Sequence, residues 1–266
     1  MNQQTVNRYD LMRSGVLVES CTKQDDLKNL INRIRPIKTG IDLLRVGGTA
    51  DGGYLLPDDL AGISACFSPG VSDVAHFETE LSQRFLIPSH LVDYSVEGPP
   101  TYFRAKSFQK KYLSVRSSER EITLDKWVKT YEEDEDSFDL ILQMDIEGSE
   151  YGALLACSET ILKRFRILVI EFHNIESFAH AHYFGIVSAV FDKLLAVFTP
   201  VHIHPNNCCG IVNIHGVEFP RVFEMTFLRK DRHTPLGFRS DFPHVLDKPN
   251  IPALPDLSIP HSWGWT

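Results

Sequence analysis

An alternation of apolar, strand-like runs with amphipathic, helix-like runs is the feature of this sequence that most restricts its fold. From about residue 61, ISACFS has the composition of a buried strand, and DVAHFETELSQRF places Phe77, Leu81 and Phe85 on one helical face. Because strands that take turns with helices form βαβ units, the pattern predicts a doubly wound α/β fold with a mostly parallel sheet. The later strands are SHLVDYS, SFQKKYLSV, DLILQMDI, RILVIEFH, FTPVHIH and VFEMTFLRK, and the later helices are TLDKWVKTYEED, SEYGALLACSETILKRF and SFAHAHYFGIVSAVFDKLL.

The two ends of the chain depart from this alternation and divide it into three predicted parts. Residues 1–40 hold one amphipathic stretch, DDLKNLINRIR, and are predicted to form a helical extension. Residues 41–230 are predicted to form the main domain, and the proline-rich tail, 231–266, is predicted to be mostly irregular. The last two strands are joined by PNNCCGIVNIHGVEFP, which has no helical pattern, so they are expected to pair antiparallel at one edge.

Composition disfavours several kinds of partner. The formal net charge of −8 argues against a polyanion, so nucleic acid is not expected, and the basic stretch RAKSFQKKY is interpreted as a solvated loop. No stretch has the roughly 18 apolar residues of a membrane span, and MNQQTVNRYDLMRSG lacks the apolar core of a signal peptide. The five cysteines are odd in number and form no CxxC pair, which is typical of a reducing compartment. A cytoplasmic protein without a membrane partner is therefore expected.

Polar residues stand where three predicted strands end, which is where open α/β sheets bind ligands. The turn after ISACFS opens a helix and keeps Gly70, although Ser68 and Ser72 occupy the positions of other glycines in a glycine-rich fingerprint. Asp93 ends the next strand, where an acid can accept both hydroxyls of a ribose. Asp145 ends DLILQM. Together these signals indicate a cofactor that contains a nucleoside.

A series of motifs runs in order from about residue 45 to 230, and the most specific is LDKW followed by MDIEGSE. The others are DGGYLLPDDL, SPGVSDVAHFE, VDYS, LVIEFH, VHIHPNNC and EMTFLRK. On these motifs the chain resembles the FkbM-like family of S-adenosylmethionine-dependent methyltransferases. The resemblance implies a class I methyltransferase fold, Rossmann-like, with a seven-stranded sheet whose last strand is antiparallel. It also implies a lid at DGGY, and S-adenosylmethionine bound by Asp51, Gly52, Gly53, Tyr54, Ser68, Gly70, Asp93 and Asp145.

The motif MDIEGSE crowds three carboxylates into six positions. Asp145 ends the strand, and the resemblance places it beside the methyl donor or on a metal. Glu147 projects from the turn and is a second candidate for catalysis. Glu150 lies in the first turn of the following helix, where an acid stabilises the helix dipole, so its interpretation is structural.

A second polar cluster is predicted at IEFHN. Glu171 and His173 alternate along a strand and so point to the same face. If this strand lies beside the one that ends at Asp145, the three side chains can converge on a divalent metal such as Mg²⁺. A hydrogen-bonded polar rim without a metal is the alternative. The next strand end, HIHPNN, adds His202, His204, Asn206 and Asn207.

The expected reaction is methyl transfer to a hydroxyl oxygen, with His173 or His204 as the base and Asp145 or Glu147 as its orienting partner. Family analogy favours a sugar or another polyol as acceptor, carried by a small molecule or a glycan. Three alternatives stay open. They are a metal-dependent hydrolase that uses Asp145, Glu171 and His173, a dehydrogenase whose glycine fingerprint is missing, and a non-catalytic binding module with a methyltransferase fold.

Overall fold

A computed structural model describes residues 8–16, 18–131 and 139–265, and its strands and helices follow the predicted alternation. The strands are β1 (Leu43–Val46), β2 (Tyr54–Pro57), β3 (Ala65–Pro69), β4 (Ser89–Val92), β5 (Ser107–Gln109), β6 (Tyr112–Leu113), β7 (Glu121–Ile122), β8 (Leu140–Met144), β9 (Phe165–Phe172), β10 (Phe198–Pro205), β11 (Ile211–Ile214), β12 (Val217–Pro220) and β13 (Phe223–Arg229). The α-helices are α1 (Arg8–Arg13), α2 (Gln24–Arg33), α3 (His76–Phe85), α4 (Leu124–Tyr131), α5 (Glu150–Ala156), α6 (Glu159–Leu162) and α7 (Ala181–Val197).

The central sheet has seven strands in the order β10–β13–β9–β8–β3–β4–β5. Neighbouring strands pair in parallel except at β13, which runs antiparallel to both β9 and β10. The predicted α/β fold with a mostly parallel seven-stranded sheet is confirmed, and so is the antiparallel pairing of the last two strands. Because β13 lies between β10 and β9, its register sets Glu224 opposite His204 on one side and opposite Glu171 on the other.

Apolar layers cover both faces of this sheet, because alternate side chains of each strand point in opposite directions. In β8, Leu142 joins a large core cluster with Trp127 of α4 and Phe191 of α7. Its neighbour Ile141 joins a second cluster with Phe77 of α3. Burial of these faces is the main driving force for folding, and it leaves the strand ends as the places where polar side chains can gather.

One of the predicted helices is divided into two. The stretch SEYGALLACSETILKRF forms α5 and α6 with a break at Ser158, whose N–H donates to Asp125 (2.8 Å) and whose hydroxyl accepts from Ile161 N–H (3.3 Å). Serine competes with the helix for backbone groups, so it ends one helix and caps the next. The stretch TLDKWVKTYEED forms α4 up to Tyr131, and its last three residues lie outside the described residues.

The tail lies against the main domain. The N–H of Asp51 donates to the carbonyl of Asn250 (3.0 Å), and the indole of Trp263 donates to the carbonyl of Glu218 (2.7 Å). These contacts bring Asn250 and Asp256 to the carboxyl ends of β9 and β10 and the amino end of β13, where both bond to side chains of the sheet.

Two expectations from composition can be compared with the structure. Among the helices it describes, none is long and apolar enough to cross a membrane. Cys208 and Cys209 form a disulfide between neighbouring residues, and Cys21, Cys66 and Cys157 are free thiols, so the cysteines do not form a disulfide framework.

Candidate active site

Two adjoining cavities lie at the carboxyl ends of β3, β4 and β8. The smaller has a volume of about 250 Å³ and reaches β2 and the start of α3. The larger has a volume of about 390 Å³ and reaches β6. Asp51, Gly70, Ser72 and Asp145 line both, so the two cavities form one elongated site with Asp145 near its middle.

The turn after β3 depends on Gly70. This residue has φ 81°, and a Cβ there would lie 1.6 Å from the carbonyl oxygen of Asp145. Only glycine allows that approach. The turn after β3 and the end of β8 therefore pack directly against each other, and together they form one wall of the two cavities. Ser68, which was predicted to bind the cofactor, is fully buried behind this wall and bonds to Glu78 and Gln143.

Asp93 lies just beyond β4, at a wall of the larger cavity. Its carboxylate accepts from Ser72 N–H (2.8 Å) and from the N–H and hydroxyl of Ser95 (2.7 Å each). These donors fix both carboxylate oxygens, which together can accept more than three hydrogen bonds. The rings of Tyr94 and Tyr112 stack 4.5 Å apart on the same cavity and provide an aromatic surface beside the acid.

The turn between β8 and α5 is built around Glu150. Glu147 and Gly148 both have positive φ, 56° and 98°, which folds the chain back tightly. Glu150 is fully buried, and its Oε1 accepts from Ile146 N–H (3.2 Å), from Gly148 N–H (3.1 Å) and from His173 Nδ1 (3.0 Å). Its predicted structural role is therefore only part of its function, because it also orients a histidine.

His173 links the three acids of the turn. With Nδ1 held by Glu150, its Nε2 faces Asp145 Oδ1 at 3.8 Å and Glu147 Oε2 at 3.6 Å. The second nitrogen of a histidine is free to exchange protons or bind a ligand when the first is fixed in this way. The structure thus brings together three predicted site residues, and Asp145 and Glu147 also line the larger cavity.

Burial and crowding shift the acid–base properties of this group. Burial raises the pKa of Asp145 to about 7, and the imidazole of His173 partly offsets that rise. Burial alone would lower the pKa of His173, but Glu150, Asp145 and Glu147 together raise it above its usual value. Each of the two groups is among the causes that shift the pKa of the other, so the protonation of Asp145 and that of His173 depend on one another.

Glu171 belongs to a different group. Its carboxylate lies with those of Asp51 and Glu224, all within 4.8 Å of one another, and Asn206 donates to it (2.7 Å). Burial and then the neighbouring acids raise the pKa of Glu171 well above its usual value. The predicted metal set of Asp145, Glu171 and His173 is divided between two groups, because β9 ends at Phe172 and His173 no longer follows the alternation of the strand.

His204, the other predicted base, lies between two acids and lines neither of the two cavities. It is 2% exposed, with Nε2 3.1 Å from Asp256 and Nδ1 3.7 Å from Glu224. Burial opposes its charge, but hydrogen bonding to Glu224 and the nearby acids raise its pKa to about 9. An imidazole that is protonated at neutral pH is a counter-ion and not a base, so His173 is the stronger candidate base.

The motif DGGY lies on the opposite wall. Asp51, Gly52 and Tyr54 line the smaller cavity. Gly53 instead packs on the backbone, since a Cβ there would lie 2.2 Å from the carbonyl oxygen of Gly48. Tyr54 is the first residue of β2 and is 3% exposed, and its hydroxyl accepts from Gln143 Nε2 (3.3 Å).

Several site residues were not found from the sequence. Gln143 and Glu78 lie inside a strand and a helix that otherwise read as apolar or amphipathic, and a polar residue at a buried position was the available signal. Asn250 lies in the irregular tail, where no pattern pointed to it. Its Nδ2 donates to Glu224 Oε1 (2.5 Å) and to Asp51 Oδ1 (3.2 Å).

Comparison with known proteins agrees with this geometry. Residues 74–196 match the family model of the methyltransferase FkbM domain, which confirms the family resemblance over this part of the chain. The matched range contains Asp93, the turn from Asp145 to Glu150, Glu171 and His173. No curated protein matched the chain in a separate search.

Proposed function

We propose that this chain is an S-adenosylmethionine-dependent methyltransferase of the class I fold and that it methylates a hydroxyl of a sugar or another polyol. The observation that carries the proposal is the elongated site with Asp145 at its middle. Asp93 and two stacked tyrosines lie on one side of Asp145, and a smaller polar cavity lies on the other. The match to the methyltransferase FkbM domain supports the same class of reaction.

The two cavities differ in a way that suits the two ends of this cofactor. The larger offers the carboxylate of Asp93 to ribose hydroxyls and the faces of Tyr94 and Tyr112 to a base. The smaller offers Asp51, Tyr54 and Asp145 to an amino-acid group. Asp145 therefore lies where the positive sulfur of the bound cofactor would be closest to an acid.

When bound, S-adenosylmethionine supplies a methyl group on a sulfonium, which an acceptor oxygen can displace in line. The chain must then receive the proton of the acceptor hydroxyl. Asp145 lines both cavities, and His173 Nε2 stands behind it at 3.8 Å, so this pair can take up the proton. Glu150 holds Nδ1 of His173 at 3.0 Å and keeps the ring in one orientation.

The prediction of a divalent metal can be compared with the ligand atoms that the structure brings together. Asp145, Glu147 and His173 offer three ligand atoms within 4.8 Å of one another. Two carboxylates and an imidazole suit Mn²⁺ or Zn²⁺ better than Mg²⁺, which prefers oxygen ligands. We favour a site without a metal, because the sulfonium of the bound cofactor would itself bring a positive charge beside Asp145. The hydrolase alternative relied on Asp145, Glu171 and His173 together, and the division of these residues weakens it.

A calorimetric titration with S-adenosylmethionine and its product S-adenosylhomocysteine, with and without a chelator, tests the proposal. We expect binding of both that is unchanged by the chelator. Asp93→Asn should weaken binding by about 1.5–3 kcal/mol through lost charge-assisted hydrogen bonds, whereas Asp25→Asn, at an exposed position of α2, should not. Absence of binding to the folded protein would overturn the proposal, and loss of binding with the chelator would restore the metal.

A further inference from the structure

A buried chain of hydrogen bonds connects α3 to the smaller cavity. Ser68 of β3 bonds to Glu78 of α3 and, at 2.6 Å, to Oε1 of Gln143 in β8. Gln143 Nε2 in turn donates to the hydroxyl of Tyr54 in β2 (3.3 Å). None of the four residues is more than 6% exposed. The hydrogen bonds of such a chain polarise one another, so the protonation of the group at one end influences the hydrogen bonding of the group at the other end.

The number of hydrogens restricts how this chain can be arranged. Ser68 has one hydroxyl hydrogen, yet it contacts two oxygens, one from Glu78 and one from Gln143. One arrangement keeps the amide as it stands, with Glu78 protonated and donating to Ser68. The other reverses the amide of Gln143, so that Glu78 is ionised and Tyr54 donates to Gln143. Only the first leaves the hydrogen of Tyr54 available to a ligand.

The surroundings of Glu78 favour the first arrangement. Glu78 is 3% exposed, and no lysine, arginine or histidine among the described residues forms an ion pair with it. A buried carboxylate without a cation is costly, and burial accordingly raises the pKa of Glu78. A neutral Glu78 donates to Ser68, Ser68 to Gln143, and Gln143 to Tyr54.

Tyr54 then presents a hydrogen-bond donor to the smaller cavity. Burial, followed by the nearby Asp145, Glu171 and Glu224, raises its pKa well above the usual value, so the phenol keeps its proton. Within the part of the chain that the structure describes, its hydroxyl has no hydrogen-bonded partner other than Gln143. Asp51 and Asp145 line the same cavity. The cavity therefore has one hydrogen-bond donor, the Tyr54 hydroxyl, close to two acidic side chains.

We propose that Glu78 acts through Ser68 and Gln143 as a positioning residue that turns the Tyr54 hydroxyl toward the carboxylate of an amino-acid ligand group. This inference rests on the proposed function, in which that group is the amino-acid end of the cofactor. The acids of the cavity receive its ammonium group, and the Tyr54 hydroxyl donates to its carboxylate.

Two probes separate this role from a general effect on folding. S-adenosylhomocysteine carries the amino-acid end, and 5′-methylthioadenosine has the same nucleoside without it. Tyr54→Phe should weaken binding of the first about tenfold and leave the second within about twofold. Ser68→Ala, at a position that lines neither cavity, should weaken the first probe by a smaller factor. Glu78→Gln, which can still donate to Ser68, should recover most of the affinity lost in Glu78→Leu.

The double variant distinguishes a chain from independent contacts. If Ser68 acts through Tyr54, the combination of Ser68→Ala with Tyr54→Phe should bind S-adenosylhomocysteine no more weakly than Tyr54→Phe alone. Additive losses, or equal losses with both probes, would overturn the inference while the proposed function stands. If the wild-type protein binds neither probe, the proposed function fails, and this inference fails with it.

Discussion

The two aspartates that flank β8 occupy opposite kinds of surroundings. Asp139 precedes the strand and pairs with Arg166 (2.6 Å) and Arg229 (2.7 Å). Asp145 follows the strand, and the described residues contain no lysine or arginine in an ion pair with it. Burial acts against the charge of both, but the arginines lower the pKa of Asp139, whereas the pKa of Asp145 rises to about 7.

The comparison shows that the charge of Asp139 stabilises the fold, whereas the charge of Asp145 lowers its stability. At the amino end, Arg166 also donates to the carbonyls of Asp59 and Ala61, so the network ties loops to the strands. At the carboxyl end, acids crowd one another, and the ion pairs described for Asp145, Glu224 and Asp256 are with histidines. An arrangement that lowers stability is expected where the same groups bind or convert a ligand, which is why we place the active site there.

The largest expected effect on stability comes from Asp139→Asn. Removing this charge leaves Arg166, whose side chain is 4% exposed, with a weakened partner in a buried position. Breaking such a pair should lower the free energy of unfolding by about 3 kcal/mol. Denaturant unfolding measures this change, and activity per folded molecule should stay within about twofold. A stability equal to that of the wild type would remove the contrast between the two ends.

The same substitution at the other end, Asp145→Asn, should have the opposite profile. Activity should fall about a hundredfold or more, because the proton acceptor at the middle of the site is lost. The melting temperature should stay within a few degrees or rise, because a buried, crowded charge is removed. Single-turnover methyl transfer measures the first effect. A large loss of stability with activity intact would make Asp145 structural.

A smaller effect follows from pH. The folded pKa of Asp145, about 7, lies above the value of 3.8 expected when unfolded, so its folded state is most favoured at low pH and loses stability as pH rises through 7. Between pH 5 and pH 8, wild type should therefore lose about 2–3 kcal/mol relative to Asp145→Asn. Asp139 has a lowered pKa, so its contribution is lost only below about pH 4. The difference between wild type and Asp139→Asn should stay constant between pH 5 and pH 8, and parallel curves for all three proteins would contradict this account.

The smallest effect provides a control. Arg84 and Glu80 form an exposed ion pair on α3, 2.9 Å apart and four residues apart in sequence. Arg84→Ala should change stability by only about 0.3–0.5 kcal/mol, because solvent screens the pair. Denaturant unfolding of Arg84→Ala beside Asp139→Asn tests whether burial explains the amino-end effect. Equal losses in the two variants would show that it does not.

Local pattern determined much of the fold and part of the site. The alternation of strands and helices predicted the sheet. Each element has to bury its apolar face, and this requirement gives the sequence a period that differs between strands and helices. The same reasoning predicted that Asp93 and Asp145 lie at one edge, since parallel strands end at a common edge, and both line the larger cavity. The motif MDIEGSE predicted the turn after β8, in which Glu147 lies.

Only the tertiary structure decided which acids meet. The insertion of β13 between β9 and β10 sets Glu224 opposite Glu171, and the tail brings Asn250 to both Glu224 and Asp51. His173 joined Asp145 because β9 ends one residue before it, and a strand pattern does not show where its own regularity stops. Periodicity reports the face of one element, whereas pairs between distant segments depend on how all the elements pack. The sequence therefore determined that acids gather at one edge, and packing determined their partners and their charge.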